Sequence, residues 1–255
     1  KVSTCFEELS SKCDRLTISA SDRLLPIFKR SFSKNINFIS KLTVPSDASF
    51  DAHAPGMTAL GLLRPDSKSF KNNSVKNFRL LADKHRTAGF RELALAKADG
   101  TPIIGISWFS NSARNGFYRS IPVTQLLSAL PNGAVLVDLQ YGNFESEFED
   151  LASEFGHLAL SFKAVDKWSD LEGLASLIDA CDEVVTIDNS IVHLAGALGK
   201  KCNLLLPLGA DWRWGGKDEK RSYWYSSIRI NRQTVLEDWE SCLANLALFS
   251  TSKLA

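Results

Sequence analysis

Asp188, Asn189 and Ser190 are three consecutive polar residues that separate a β-branched run from an amphipathic stretch ending at Gly199. All three are favoured helix N-caps, and glycine commonly ends a helix in the left-handed conformation. The pattern predicts a strand, a tight turn and a helix whose first N–H groups and partial positive charge suit a small anion such as phosphate. His193, on the same helix, could add a hydrogen bond to that anion. A lone helical histidine is more often structural, so both interpretations stay open.

A second polar loop follows the apolar run 202–206 and contains Asp211, Trp212, Arg213 and Trp214. Tryptophan faces stack on sugar rings or bases, and arginine forms bidentate bonds to phosphate or carboxylate. The alternative is structural: both tryptophans anchor the loop in the core, and Asp211 pairs with Arg213.

Polar side chains also follow two other predicted strands. They are Ser107, Trp108, Arg114, Arg119 and Ser120 after the first strand, and Gln140 and Tyr141 after the second. Arg114 and Arg119 could neutralise a pyrophosphate, whereas a solvated surface position is the favoured interpretation for Arg114. Because the carboxyl ends of parallel strands meet at one edge of a sheet, we expect these loops to line one crevice.

Several common catalytic and phosphate-binding motifs are missing from the sequence. It contains no Gly-x-x-x-x-Gly-Lys-Ser/Thr, no Gly-x-Gly-x-x-Gly and no Gly-x-Ser-x-Gly motif. Its histidines, cysteines and aspartates do not fall at metal-binding spacings. The sequence therefore predicts neither a metal site nor a cofactor, and any chemistry would be metal-free group transfer.

The composition is that of an ordinary soluble globular protein. Of 255 residues, 44% are apolar and 23% are charged, and 30 basic side chains balance 29 acidic ones to give a net charge of +1. Such a balance argues against nucleic acid or anionic lipid as the main partner. The five scattered cysteines are predicted to be reduced. Without a long apolar run or a signal-like opening, we expect a cytoplasmic chain with no membrane span.

The elements that must position these residues alternate between strand and helix, which predicts an α/β fold with parallel sheets. From residue 101 onward, we predict strands at 103–108, 134–139, 183–187 and 202–206 and helices at 123–130, 145–155, 171–180 and 191–198. Upstream, we predict helices at 5–11 and 23–30, strands at 15–19 and 36–39, and an irregular connection over 42–74. A boundary between residues 76 and 102 would divide the chain into two units, 1–95 and 96–255.

Several short strings together resemble the catalytic region of glycosyltransferase family 9, the heptosyltransferase-like family. They are Gly105-Ile106-Ser107-Trp108, Arg119-Ser120-Ile121-Pro122, Leu139-Gln140-Tyr141-Gly142, Asp188-Asn189-Ser190 with His193 through Gly199, Leu205-Leu206-Pro207, Asp211 through Trp214, and Trp224-Tyr225. The resemblance is to the form found behind tetratricopeptide repeats in bacterial proteins. It covers residues 102–239 in order and spacing, and extends weakly to 23–32.

This resemblance implies a GT-B-like architecture of two Rossmann-like lobes with parallel sheets. Residues 1–95 would form an incomplete acceptor-side lobe, and residues 96–255 would bind a nucleotide-sugar donor. The implied reaction is inverting and metal-independent glycosyl transfer to an unknown glycan, lipid or protein acceptor. Carried over by position, the donor-binding residues are Ser107, Trp108, Arg119, Ser120, Gln140, Tyr141, Asp188, Asn189, Ser190, His193, Leu194, Asp211, Trp212 and Arg213.

The resemblance does not supply a catalytic residue. Members of the family carry a Gly-Asp loop that provides the candidate base, and it lies upstream of the part matched here; Asp51 or His53 could substitute for it. A noncatalytic nucleotide- or glycan-binding module is therefore the alternative function, and a sugar-nucleotide epimerase is a weaker one. An exposed edge of the N-terminal sheet further predicts a homodimer formed through that lobe.

Overall fold

The computed structural model describes residues 1–43, 50–71, 79–244 and 246. These residues form an α/β arrangement with two sheets, one of two strands and one of six. All strand pairings within both sheets are parallel. The predicted α/β fold class with parallel sheets is confirmed.

The small sheet pairs β1 (Leu16–Ala20) with β2 (Ile36–Ser40). Helix α1 (Phe6–Ser10) precedes it, and α2 (Leu25–Ser31) connects its strands. Four phenylalanine rings from these elements and the α2–β2 turn pack with centroids 5.2 to 6.1 Å apart: Phe6, Phe28, Phe32 and Phe38. These rings pack the helices of the small unit against its sheet.

The large sheet has the strand order β5-β4-β3-β6-β7-β8. Its strands are β3 (Ile103–Ser107), β4 (Val135–Asp138), β5 (Leu158–Leu160), β6 (Glu183–Ile187), β7 (Cys202–Leu206) and β8 (Ile228–Arg232). Numbered within this sheet alone, the order is 3-2-1-4-5-6, that of a doubly wound fold. In such sheets the strand order reverses between the first and fourth strands, here β3 and β6. Ligands bind in the crevice outside the carboxyl ends of these two strands.

Helices cover the large sheet and connect its strands. They are α3 (Gly56–Leu63), α4 (Lys84–Ala98), α5 (Gly116–Arg119), α6 (Val123–Ser128), α7 (Glu145–Glu154), α8 (Leu171–Ala180), α9 (Ser190–Leu198) and α10 (Trp239–Leu243). Four of these helices begin at a side-chain N-cap that accepts a hydrogen bond from a main-chain amide of the helix. The capping residues are Asp83, Asp170, Asn189 and Asp238. Gly199 ends α9 with a φ of 73°, as its position predicts.

Two apolar clusters lie on the large sheet. One contains Phe28 of the small unit together with Leu174 and Ile191, so buried contacts run from the small sheet into the large one. The other includes Trp108 and Trp239. The division into units 1–95 and 96–255 stays a prediction. Across the described ranges, no helix combines the length and apolar character that crossing a membrane requires.

The predicted irregular connection over 42–74 is wrong in part. Within its described portion, residues 56–63 form α3, and Ser67–Lys71 forms a short 3-10 helix. Leu60 of α3 is 2% exposed and joins the core. The proline, serine and glycine residues around this run are typical of loops, so the sequence pattern does not indicate a helix here. The short apolar helix is stabilised by its packing. Residues 44–49 of the prediction lie outside the described chain, as do 72–74.

Gly196 of α9 provides a test of this packing. A Cβ there would lie 2.5 Å from Cγ of Tyr225 and 2.7 Å from Cδ1 of Ile228. We expect Gly196→Ala to lower the free energy of unfolding by about 1–3 kcal/mol, the usual cost of overpacking. Urea denaturation is the measurement.

Gly89→Ala is the matched control, because this glycine also lies within a helix and its Cβ would have no neighbour within 4 Å. Higher helix propensity should stabilise that variant by up to about 1 kcal/mol. Equal effects of the two substitutions would contradict the packing of α9 against Tyr225.

Candidate functional site

A cleft of about 520 Å³ opens at the carboxyl edge of the large sheet, where β3 and β6 adjoin. It is lined by Phe109, Ser110, Asn111, Ser112, Arg119, Gln140, Tyr141, Trp168, Asp188, Asn189, Ser190, His193 and Arg213. The loops after β3, β4, β5, β6 and β7 each contribute to this lining. The predicted crevice therefore exists, and it lies at the point where doubly wound sheets bind ligands.

Gln140, after β4, fastens the loop that follows β3. Its Oε1 accepts hydrogen bonds from Ser107 Oγ (3.0 Å), Trp108 N (3.0 Å) and Phe109 N (2.9 Å). Its Nε2 donates to the main-chain oxygens of Phe109 (3.2 Å) and Tyr141 (3.1 Å). Since the side chain is 2% exposed and its polar atoms are already bonded, Gln140 positions the loop and offers little to a ligand.

Ser107 extends this hydrogen-bonded chain to the start of α9. Its Oγ, which donates to Gln140, accepts from Asn189 Nδ2 at 2.8 Å. Asn189 Oδ1 accepts from the amide of Ile191 (2.9 Å) and the hydroxyl of Thr186 (3.2 Å). The N-cap of α9 is thus fixed both to its own helix and to the neighbouring strand, which aims the helix N-terminus into the cleft.

Arg119 forms one wall of the cleft next to α9. Its Nη1 donates to the main-chain oxygen of Asp188 at 2.8 Å and lies 3.8 Å from Oδ2 of the same residue. Its Nη2 donates to Ser110 Oγ at 3.1 Å. A guanidinium has five N–H donors, so N–H groups remain available on both terminal nitrogens for an anion in the cleft.

His193 faces the cleft from the first turn of α9. Its ring stacks on Trp214 with centroids 5.2 Å apart and planes 11° from parallel. Its Nδ1 is buried and has no hydrogen-bond partner among the described residues. Burial, followed by the positive charges of Lys1 and Arg213, lowers the pKa of His193 to about 3. The imidazole is therefore neutral at ordinary pH, with one nitrogen not yet hydrogen-bonded.

The two tryptophans of the loop after β7 differ in burial. Trp214 is fully buried, while Trp212 is 68% exposed. Asp211 accepts from the amide of Arg213 at 3.0 Å and holds its guanidinium through Nε (2.8 Å) and Nη2 (2.5 Å). The structural alternative is thus correct for Trp214 and for the Asp211–Arg213 pair, and wrong for Trp212.

Several cleft residues were missed by sequence reasoning, most clearly Trp168. This residue is 68% exposed, packs edge-on against Tyr141 at 6.0 Å, and lies 5.2 Å from the guanidinium of Arg23. Next to it, the buried Lys167 ammonium lies 2.5 Å from Asp138 Oδ2 and anchors the loop to β4. Burial raises the pKa of Asp138, and the Lys167 charge opposes that shift.

Tyr141 and Ser190 are in contact in the cleft, with Oη and Oγ 2.6 Å apart. The expected donor-binding residues that do not line the cleft are Ser107, Trp108, Ser120, Leu194, Asp211 and Trp212. Trp108 is buried and stacks on Phe148 at 5.1 Å. Ser120 Oγ accepts from Ser110 N and donates to Gly116 O, so it serves the loop. A donor contact for these six side chains stays a prediction.

Candidate bases and metal ligands are few in the described structure. Asp51 and His53 are exposed and line neither this cleft nor the second large cavity described below. Within the described ranges, no group of three or more His, Cys, Asp or Glu side chains is arranged to hold a metal ion. The five cysteines are free thiols, of which Cys13 is exposed and the other four are buried.

Comparison with known proteins gives partial similarities. No protein-family model matches the chain. The chain is similar to the protein FlbA of Caulobacter vibrioides, with 26% identity over 248 residues. That match covers 91% of this chain and 40% of FlbA, so the chain spans well under half the length of this relative.

Two solved structures resemble about two thirds of the chain. One is the ADP-heptose lipopolysaccharide heptosyltransferase II of Escherichia coli, with a TM-score of 0.44 and 16% identity over 69% of this chain and 54% of that one. The other is a glycosyltransferase family 9 protein of Veillonella parvula, with a TM-score of 0.42 and 12% identity over 68% of this chain and 47% of that one. The tetratricopeptide-repeat context stays a prediction.

Replacing Gln140 tests its role as the fastening of the β3 loop. Gln140→Ala leaves a buried hydroxyl and two main-chain amides without their acceptor, so we expect the free energy of unfolding to fall by about 2–4 kcal/mol. Gln125→Ala, at an exposed position, is the control and should stay within about 0.5 kcal/mol of wild type. Equal stability of the two variants in urea would refute the role.

The buried His193 predicts a pH dependence of stability. The unfolded chain takes up a proton on this histidine below about pH 6.5, whereas the folded chain does so only near pH 3. The unfolded state therefore binds more protons in that interval, and stability falls as the pH is lowered through it. Urea unfolding across the acidic range should show a smaller slope for His193→Gln, while His85→Gln, at an exposed position, should keep the wild-type slope.

Proposed function

We propose that the cleft binds the diphosphate of a nucleotide-sugar and that the protein transfers the sugar to an acceptor. The observation that carries the proposal is the convergence of Arg119, His193 and the N-terminus of α9 on one cleft at the β3–β6 switch point. Each of the three offers hydrogen-bond donors or positive potential to an anion. The family 9 resemblance of the same residues supports this assignment.

The hydrogen-bond donors of the cleft favour a compact anion. Arg119 keeps N–H groups available on both terminal nitrogens. The Arg213 guanidinium is already held by Asp211, and the one carboxylate of the described lining, Asp188, is 3% exposed. The dipole of α9 adds about 0.3–1 kcal/mol for an exposed anion and up to about 2 kcal/mol for a partly buried one. A charge-assisted hydrogen bond from Arg119 would add about 1.5–3 kcal/mol to the binding free energy of the anion. The side chains would therefore contribute more to binding than the helix dipole does.

The reaction follows from stabilising the leaving group. An acceptor hydroxyl attacks the anomeric carbon, the bond from that carbon to the diphosphate oxygen breaks, and its electron pair leaves with the nucleoside diphosphate. Attack opposite the leaving group inverts the anomeric centre. Arg119 and the α9 N-terminus would stabilise the negative charge that develops on the diphosphate, which lowers the barrier to transfer.

A binding module without transfer is the second candidate function. In its favour, the single carboxylate among the described cleft residues is buried, and the lowered pKa of His193 makes that side chain a weak base. No described residue of the cleft is therefore assigned as the base that removes the acceptor proton.

Calorimetric titration with ADP, UDP, GDP and their common sugar conjugates tests the proposal. We expect one nucleotide to bind equally well with and without EDTA. Arg119→Ala should weaken this binding by about 10- to 150-fold, the equivalent of one charge-assisted hydrogen bond. Arg114→Ala is the matched control, because Arg114 lies on the same loop, is exposed and does not line the cleft.

Equal affinities in both arginine variants would contradict the site, and no binding to any of these nucleotides would contradict the function. Release of nucleoside diphosphate from the bound conjugate, with or without added acceptor, separates an enzyme from a binding module. Tight binding without release would support the module.

A further inference from the structure

A second cavity of about 450 Å³ lies beside the candidate cleft and has a different character. It is lined by Met57, Leu60, Gly61, Arg64, Pro65, Asp66, Ser67, Phe70, Trp212, Arg213, Tyr223 and Trp224. Four of these side chains are aromatic. Arg213 lines both cavities, so the two adjoin at this residue. Pockets of this size, with mostly apolar walls and a few polar groups, are typical of small-ligand sites.

The aromatic walls are not parallel. Phe70 and Trp224 meet edge to face, with centroids 4.5 Å apart and planes at 87°, and Tyr223 lies 5.6 Å from Phe70. Trp212 is 68% exposed, although large aromatic side chains are normally mostly buried. Phe70, Trp224 and Tyr223 therefore pack on one another as a single wall, and the exposed Trp212 offers an aromatic face to a ligand ring.

Arg64 is the most buried charged residue of the cavity wall. The residue is 8% exposed, and its guanidinium donates to Glu8 Oε2 (2.5 Å) and to the main-chain oxygen of Leu63 (2.7 Å). Its Nε is buried and has no hydrogen-bond partner among the described residues. Asp66 and Ser67 add hydrogen-bonding groups to the lining.

The charge balance favours a neutral ligand. Both guanidiniums of the lining already have a carboxylate partner, Glu8 for Arg64 and Asp211 for Arg213, each at 2.5 Å. The Lys1 ammonium lies 5.5 Å from the Trp212 centroid and 5.9 Å from that of Trp224. The remaining charged group of the lining, the Asp66 carboxylate, is opposite in sign to this ammonium, so the charges of the cavity balance.

We propose that this aromatic cavity binds a neutral pyranose ring, the sugar of the acceptor, with the C–H face of the ring on Trp212 and its hydroxyls near Arg64 and Asp66. Its acceptor role rests on the proposed transfer function. The shared residue Arg213 places this sugar next to the cleft that would hold the donor.

Saccharide titration of the whole chain tests the proposal. The probes are the methyl glycosides of glucose, galactose, mannose and N-acetylglucosamine, followed by tryptophan fluorescence and by saturation-transfer NMR. We expect saturable binding of at least one glycoside, weakened about tenfold or more by Trp212→Ala and partly restored by Trp212→Phe. Thermal unfolding checks that the variants fold.

Trp168→Ala is the matched control, because Trp168 is also 68% exposed but lines the other cleft. It should leave glycoside binding unchanged. A chain that binds nucleotide but none of the glycosides would overturn this proposal and leave the donor site intact. Equal loss in both tryptophan variants, or nucleosides competing for the glycoside site, would also overturn it.

Discussion

The candidate cleft depends on one chain of side-chain hydrogen bonds that ties three strand ends together. Gln140 after β4, Ser107 at the end of β3 and Asn189 after β6 are linked through contacts of 3.0 and 2.8 Å. Parallel strands bring these ends to one edge, but the backbone beyond a strand has no ladder partners of its own. The three side chains supply those partners, and in doing so they fix both the β3 loop and the start of α9.

This arrangement divides the polar residues of the site into two groups. Gln140, Ser107 and Asn189 use their hydrogen bonds on each other and on the main chain. Arg119 and His193 retain N–H or ring nitrogen atoms that no described residue occupies. The first group would hold the site rigid, so that the second meets a ligand without a large loss of conformational entropy.

The sequence predicts those features that follow from local rules. These features include the strands β3, β6 and β7. They also include the two ends of α9, because capping by Asn189 and the left-handed conformation of Gly199 depend on neighbouring residues in the chain. Gln140 could be placed near the site but not given its role, because its partners lie more than thirty residues away in the chain. Helix α4 carries too weak an apolar pattern to be found, as only Ala94 and Ala98 of it are buried. Trp168 follows a three-residue strand, β5, with no local signal of its own.

The two cavities share a loop whose conformation is set by one carboxylate. Asp211 caps the turn Trp212–Trp214 and holds Arg213, while Trp214 anchors the turn beneath His193. Side chains two residues apart in a 3-10 turn point in different directions, so Trp214 is buried while Trp212 lines the aromatic cavity. The Asp211–Arg213 pair then stands where the two cavities meet. Because Asp211 holds Arg213, the side chain common to both linings, the walls of the two cavities depend on the same ion pair.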